Sequence, residues 1–391
     1  MQGKGDPPLK GLRVLELARI LAGPWAGQLL ADLGADVIKV ESKAGDDTRQ
    51  WGPPFIEDDE GGKDAAYFHS CNRGKRSITA DFRNEDELQA VIDLAKDADV
   101  VIENFKLGGL AKFGLDYGSL SLHNPGLIYC SITGFGQDGP YAARAGYDFI
   151  VQGMSGIMDL TGEPDGTPQK IGVAFADIFA GLYSVIAIEA ALLRRNAIGC
   201  GEYIDISLFD CMTGVLANQG MNFLASGVSP KRLGNAHPNI APYAAFPTAD
   251  GWFILAVGND SQFQRFCKLV GLEALASDSA FASNPERVSK RERLEELVRA
   301  KTRTWKRDHL LAELEKVGVP AGPINTVEQA LLDPQTKARN MLVEYPSILG
   351  GKTVNGIRSP IRFRDGNLAV PVRPPQIGDG RSALAGTDDR L

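Results

Sequence analysis

Short apolar runs alternate with stretches of helical spacing through the first third of the chain, and no other feature restricts the fold as much. Residues 12–17, 37–40, 100–102 and 127–132 each read as a strand. Between them, a stretch opened by Pro24 runs to Leu33 and stops at Gly34, while Leu88, Val91, Ile92 and Ala95 recur at helical spacing within residues 86–95. Strands that are apolar on both sides need cover on both faces, and strand–helix–strand units make the sheet parallel. The expected fold class is α/β. In such a sheet ligands bind beyond the carboxyl ends of the strands, where Arg19, Ser42, Asn104 and Gly134 fall.

The texture changes near residue 230. A polar segment with Gly234, Asn235, His237, Pro238 and Asn239 precedes a strand at 252–257, and charged helices follow at 262–270, 286–301 and 307–317. Residues 287–307 carry both signs of charge and read as a solvated helix face. These features predict a second, smaller domain. From about residue 325 the chain returns to loops and short strands, such as 354–357 and 361–363.

A net charge of -7, with no Lys/Arg-rich tract to offset it, argues against nucleic acid as a partner. An anionic ligand must then be held by a local basic cluster. No uninterrupted apolar run reaches the ~18 residues that span a bilayer, so no membrane partner is expected. Residues 1–8 lack an apolar segment of signal-peptide type and read as a loose tail. The five cysteines are widely spaced without a C-x-x-C pair, which fits reduced core thiols and a cytoplasmic location. The four histidines show no ligand spacing, so no metal site is expected.

Against this background one carboxylate stands out. Asp177 interrupts a run that is apolar from Ile171 to Tyr183 and continues to Leu193, where an uncompensated charge costs several kcal/mol. Two compatible readings account for it: an N-cap of the helix that follows, or a partly desolvated nucleophile. Asp148, with Gln152 four residues on, also reads as an N-cap. Gly134-Phe135-Gly136-Gln137-Asp138-Gly139 has the spacing of a dinucleotide fingerprint, but Pro140 and a polar segment follow where a long apolar helix is required. Those glycines instead let the chain turn closely around something else. His237, in a Pro-flanked loop, reads by itself as a surface histidine.

Several segments taken together resemble the class III coenzyme A transferases, which include formyl-CoA, carnitine-CoA and succinate–hydroxymethylglutarate CoA-transferases and have α-methylacyl-CoA racemase as a cousin. They are residues 9–16 with Leu21-Ala22-Gly23-Pro24, residues 33–41, and Asn72-Arg73-Gly74-Lys75-Arg76-Ser77-Ile78. Glu103-Asn104-Phe105, Ala145-Gly146-Tyr147-Asp148, the Asp177 run and Gly318-Val319-Pro320-Ala321-Gly322-Pro323 complete the set, which spans nearly the whole chain. The resemblance implies that Asp177 is a nucleophile that forms an aspartyl–acyl anhydride and then an aspartyl-CoA thioester. It places Leu21 and Ala22 beside the thioester, where formyl-CoA transferases carry a glutamine. Ala80, Arg83, Asn104, Phe105, Lys106 and Lys112 fall at positions that hold CoA. Ser42 stands where several relatives have an arginine, which shifts phosphate binding toward Arg83 and Lys112. Asp148 matches an acidic residue near the nucleophile, and the segment 234–239, with His237, matches a mobile loop over the reacting centre. Tyr147 takes the position of a histidine in the racemases, which favours transfer over two-base epimerisation; a racemase or a non-catalytic CoA-binding protein are the alternatives. Segments 45–55 and 234–243 are similar to those of dicarboxylate-using members, so a succinyl-CoA-type donor is expected, with Arg19 and Arg49 pairing with a distal carboxylate. The CoA thioester is a substrate, and no permanently bound cofactor is expected. The family also implies a homodimer of interlocked chains. Each chain would have a large Rossmann-like domain (1–205 and 330–391), a linker (206–229) and a smaller α+β domain (230–325).

Overall fold

The computed structural model describes residues 5–57, 62–345 and 353–380, so the first four residues of the expected tail lie outside it. The chain divides into two compact units. One comprises residues 1–157, 170–221 and 334–391, the other residues 158–169 and 222–333.

Six strands build the sheet of the first unit: β1 (Arg13–Glu16), β2 (Asp36–Glu41), β3 (Arg76–Thr79), β4 (Val100–Glu103), β5 (Ile128–Thr133) and β6 (Glu202–Ser207). All are parallel, in the order β3-β2-β1-β4-β5-β6. The apolar-run pattern misses β3 and β6 because these are the two edges of the sheet, where cover is incomplete and polar residues such as Arg76, Thr79, Glu202 and Asp205 fit.

The helices of this unit include α1 (Ala22–Asp32), α2 (Ala66–His69), α3 (Glu85–Asp97), α4 (Asp148–Met154), α5 (Phe175–Ile198), α6 (Leu208–Gly214) and α7 (Ala217–Ser226), the last running on into the second unit. Successive strand residues point to opposite faces, and the two cores follow that alternation. Val14, Val37, Val100, Ile102, Ile128 and Cys130 pack with α1 and α5. Leu15, Val40, Ile78, Val101 and Tyr129 pack on the other face with Val91 and Ala95 of α3. The Asn84 side chain starts α3 by accepting the Asp86 and Glu87 N–H groups. Helix α5, at 24 residues and a mean hydropathy of 1.7 in its most apolar window, has the length and composition to cross a membrane. One side of it is built into the core through Ala176, Ala180, Gly181, Ser184, Val185 and Ile188. The stretch 206–229 holds α6 and α7, and residues 361–363, expected as a strand, have no strand partner and run as a loop.

The second unit contains an antiparallel sheet of β7 (Tyr243–Pro247), β8 (Trp252–Ala256) and β9 (Ala321–Pro323), with β8 in the middle. Its core is aromatic: Phe246, Phe253, Phe263, Phe266 and Phe281 join Leu294, Val298 and Leu310. The expected helix 286–301 is broken into Asn284–Ser289 and Arg291–Thr302. Arg287 is the exception to the solvated reading of 287–307. Its guanidinium is buried, donates to the carbonyls of Ala241 (2.8 Å) and Phe281 (3.0 Å), and pairs with Asp260 at 2.6 Å.

Candidate active site

Asp177 lies in the first turn of α5 but does not cap it; the cap position is Ala174, which has no side-chain acceptor. The capping carboxylate comes from elsewhere in the chain. Asp148, the first residue of α4, accepts the Ala176 N–H at 2.8 Å on one oxygen and the Gln152 amide at 2.8 Å on the other. Gln152 is buried and accepts the Ile171 N–H at 2.9 Å. Asp148 therefore caps a helix, though not its own, and Asp177 is released from that duty.

Among the described residues no side chain hydrogen-bonds or ion-pairs with Asp177. Burial pushes its pKa up to about 7, and the neighbouring Asp148 charge adds to the effect. Its surroundings also include Tyr67 of α2, a residue that sequence reasoning passed over. Burial, then the Asp177 carboxylate, push the Tyr67 phenol up to about 12, so its hydroxyl stays protonated near neutrality. The Trp51 ring meets the Tyr67 ring edge-on at 5.4 Å. The available signal was proximity to the Asn72–Ile78 motif, which begins five residues after it.

Asp177 and Gly181 are four residues apart and share a face of α5. A Cβ on Gly181 would lie 2.8 Å from the Ala22 carbonyl oxygen and 3.0 Å from Trp25, so glycine is what lets the start of α1 approach. Leu21 and Ala22, both buried, are thereby set near the turn that carries Asp177.

A cavity of about 530 Å³ opens at the carboxyl edge of the sheet. Arg19, Ala80, Arg83 and Phe105 line it, as do Ser42 and Lys43. One of its four cations, Lys39, is sealed on the buried Glu16 and Asp46. The other three are held by carboxylates that remain at least partly exposed: Arg19 by Asp47 (2.9 Å), Lys43 by Glu87 (2.9 Å) and Arg83 by Asp81 (2.8 Å). Such pairs contribute at most about 1 kcal/mol, so an incoming anion can displace them. Leu21, Ala22, Asn104, Lys106 and Lys112 are not in the lining. The Asn104 amide instead grips the Arg19 backbone, accepting its N–H at 2.9 Å and donating to its carbonyl at 2.7 Å. Lys106 and Lys112 are exposed, and the Lys112 ammonium lies 4.7 Å from the Phe113 ring centre.

Arg49 departs from the expectation of a substrate-binding role. It is buried, pairs with Glu41 and Asp64 at 2.7 Å each, donates to the Pro375 carbonyl at 3.1 Å and stacks on Phe68. With four of those donors committed inside the protein, it ties distant segments together and is not open to a ligand. Tyr147 is exposed at the start of α4, and its side chain caps nothing. His237 belongs to the second unit, where its Nδ1 accepts the Asn239 N–H at 3.1 Å and its ring leans on Tyr243. Among the described residues no group of His, Cys, Asp and Glu side chains is arranged to hold a metal ion.

Residues 9–381 match the family model described as CoA-transferase family III. A succinate–glutarate CoA-transferase from Agrobacterium fabrum is 55% identical over 380 residues, covering 97% of this chain and 95% of that protein. A succinyl-CoA:glutarate CoA-transferase from Mus musculus is 39% identical over 375 residues, covering 95% and 84%. The crystal structure of a CAIB/BAIF family protein from Brucella suis superposes with a TM-score of 0.88 at 63% identity, covering 98% of this chain and 100% of that one.

Proposed function

Because the chain belongs to CoA-transferase family III, we propose that it moves coenzyme A between short dicarboxylic acids, with Asp177 as the covalent nucleophile. The observation that carries this reading is Asp177 itself: a half-buried carboxylate, unpaired among the described residues, with a pKa raised to about 7 and placed at the start of a helix. A carboxylate is a weak nucleophile in water, and removing its solvation strengthens it while protecting anhydrides from hydrolysis. The positive end of the α5 dipole supports the ionised form.

In the first step an Asp177 oxygen attacks the thioester carbonyl carbon, the C–S bond breaks, and CoA leaves as thiolate. The product is a mixed anhydride between Asp177 and the donor acyl group. The thiolate then attacks the aspartyl carbonyl carbon, releasing the donor acid as its carboxylate and leaving an aspartyl-CoA thioester. The acceptor carboxylate attacks that thioester, expelling thiolate and forming a second anhydride. Attack of the thiolate on the acceptor's acyl carbon yields the new acyl-CoA and restores the Asp177 carboxylate. No proton or electron needs an outside source.

The nucleotide end of CoA occupies the 530 Å³ cavity, where Lys43 and Arg83 exchange their surface carboxylates for phosphate. Lys43 thus supplies locally the charge that Ser42 lacks. Succinyl-CoA as donor and glutarate as acceptor are the substrates taken from the named activities of the two relatives. Arg19, exposed and bound only to Asp47, is the cation left for a distal carboxylate once Arg49 is committed. Tyr147, in the same unit as Asp177, contributes at the reacting centre, and the chain works as a homodimer.

The test is incubation with succinyl-CoA followed by hydroxylamine and mass analysis. A hydroxamate on Asp177 alone, absent in Asp177→Ala, together with glutaryl-CoA formation on adding glutarate, is expected. Turnover by Asp177→Ala would remove the residue from its role.

A further inference from the structure

Ile20 has a φ of 70°. This left-handed conformation crowds the Cβ of any L-residue and is a genuine outlier for a β-branched one. Glycine would adopt it without cost. Strain of this kind persists only where the surroundings over-determine it, and here they do. Lys39 donates to the Ala18 carbonyl at 2.8 Å, Asn104 holds both the N–H and the carbonyl of Arg19, and the Asp46 carboxylate takes the Ile20 N–H at 3.1 and 3.3 Å. The backbone from Ala18 to Ile20 is gripped at successive points from outside the loop.

The grip rests on sealed charges. The Lys39 and Asp46 side chains are 1% and 0% exposed and lie 2.9 Å apart. The three Lys39 N–H groups are used on Glu16 (3.0 Å), the Ala18 carbonyl and Asp46. Asp46 also receives the Thr48 N–H at 2.9 Å and the Thr48 hydroxyl at 2.7 Å. Burying such ions is costly, and an apolar pair of the same volume often stabilises a fold as well or better. What an apolar pair cannot do is hold the Ile20 N–H in place.

We propose that the buried Lys39–Asp46 pair is a positioning device for group transfer: it forces Ile20 into the left-handed conformation and so fixes Leu21 and Ala22, the next two residues, at the start of α1 beside Asp177. This rests on the reading of Asp177 as the nucleophile. Lys39 and Asp46 line the cavity assigned to the nucleotide end of CoA, but their charged atoms are buried and spent on protein partners, so both act through the backbone. Loosening the loop misaligns the reacting acyl group, while Lys43 and Arg83, which lie outside the loop, keep their places, so the effect falls on kcat rather than on KM.

The experiment compares the full-length protein with Asp46→Asn, Ile20→Gly and the double variant. kcat is referred to the number of Asp177 sites that can be labelled, so that a misfolded fraction drops out. Asp46→Asn is expected to lower kcat per labelled site by about ten- to a hundredfold, the range for a slight misplacement of reacting groups, with the KM for acyl-CoA within about threefold of wild type. Adding Ile20→Gly is expected to return at least about fivefold of that loss, because glycine reaches the left-handed conformation unaided. A kcat per site in Asp46→Asn equal to wild type overturns the proposal, as does a double variant no faster than Asp46→Asn. Should Asp46→Asn not fold, Thr48→Val removes one donor from Asp46 and takes its place: a loss of about threefold, again relieved by Ile20→Gly, is expected for one lost hydrogen bond, and no relief overturns the proposal. Absence of any Asp177 labelling in the wild type would instead strike the reading of the nucleophile.

Discussion

A carboxylate that attacks a thioester must be ionised yet poorly solvated, and at about 7 the pKa of Asp177 sits between those demands. On the proposed mechanism kcat/KM therefore falls as pH drops below about 7. Asp148→Asn, which removes the second cause of the shift while keeping an acceptor for the Ala176 N–H, is expected to move that acid limb to lower pH. Stability follows the same proton with a definite sign. Between the ordinary carboxyl value of 3.8 and about 7 the folded chain holds this proton and the unfolded chain does not, so the contribution of Asp177 to stability declines as pH rises through that window and is level above it. Asp177→Asn should then abolish transfer yet stabilise the protein at pH 8 by about 1–3 kcal/mol, with no gain at pH 4, as read from urea midpoints. Equal midpoint shifts at both pH values would contradict the raised pKa. Arg49 behaves oppositely. Arg49→Met strips the buried Glu41 of its ion pair, leaving only the Ser77 hydroxyl and the Asp46 N–H on it, and is expected to cost about 3–5 kcal/mol. Arg49→Lys should recover little, since a point-like ammonium cannot reproduce the two-pronged pairing with Glu41 while reaching Asp64 from the far side of the fork. The anomaly of Asp177 was legible in its apolar run; the tie formed by Arg49 was not, because its partners lie 8, 15 and 326 residues away and converge only in the fold.

At the scale of elements, the interior strands and α1, α3 and α5 follow from apolar periodicity, while the edge strands β3 and β6 do not, being only partly covered. What periodicity also conceals is that α1 crosses a buried charge. A Cβ on Gly27 would fall 1.9 Å from a Glu16 carboxylate oxygen and 3.3 Å from Lys75, so the helix can lie over these ions only with glycine at its contact point. Gly27→Ala is accordingly expected to destabilise by about 3 kcal/mol or more, although alanine is the better helix former by about 1 kcal/mol. A thermal midpoint equal to or above that of the wild type would show that α1 does not pass this close.

For the whole molecule, the unexplained feature is apolar surface. Ile186 and Leu193 on α5 are 61% and 71% exposed, and Met221 and Leu224 on α7 are 60% and 74% exposed. Exposed apolar residues seven apart on one helix, as on α5, mark an interaction surface, which supports the proposed homodimer. Light scattering at about 1 μM is expected to give twice the chain mass, and mixing with a tagged copy should yield no exchange short of unfolding if the chains are interlocked. A folded monomer at that concentration would count against the assembly.

By itself the order of residues determined the parallel sheet and the membership of a transferase family whose motifs run through the chain. These are properties of local periodicity and short motifs. Only the tertiary structure decided which charged groups are spent inside the protein and which remain for a ligand: Arg49 and Lys39 are consumed by buried carboxylates, Asp148 by a helix it does not belong to, while Asp177 is left unpaired. The physical reason is that desolvation and pairing depend on partners far away in sequence, and those distances exist only once the chain has folded.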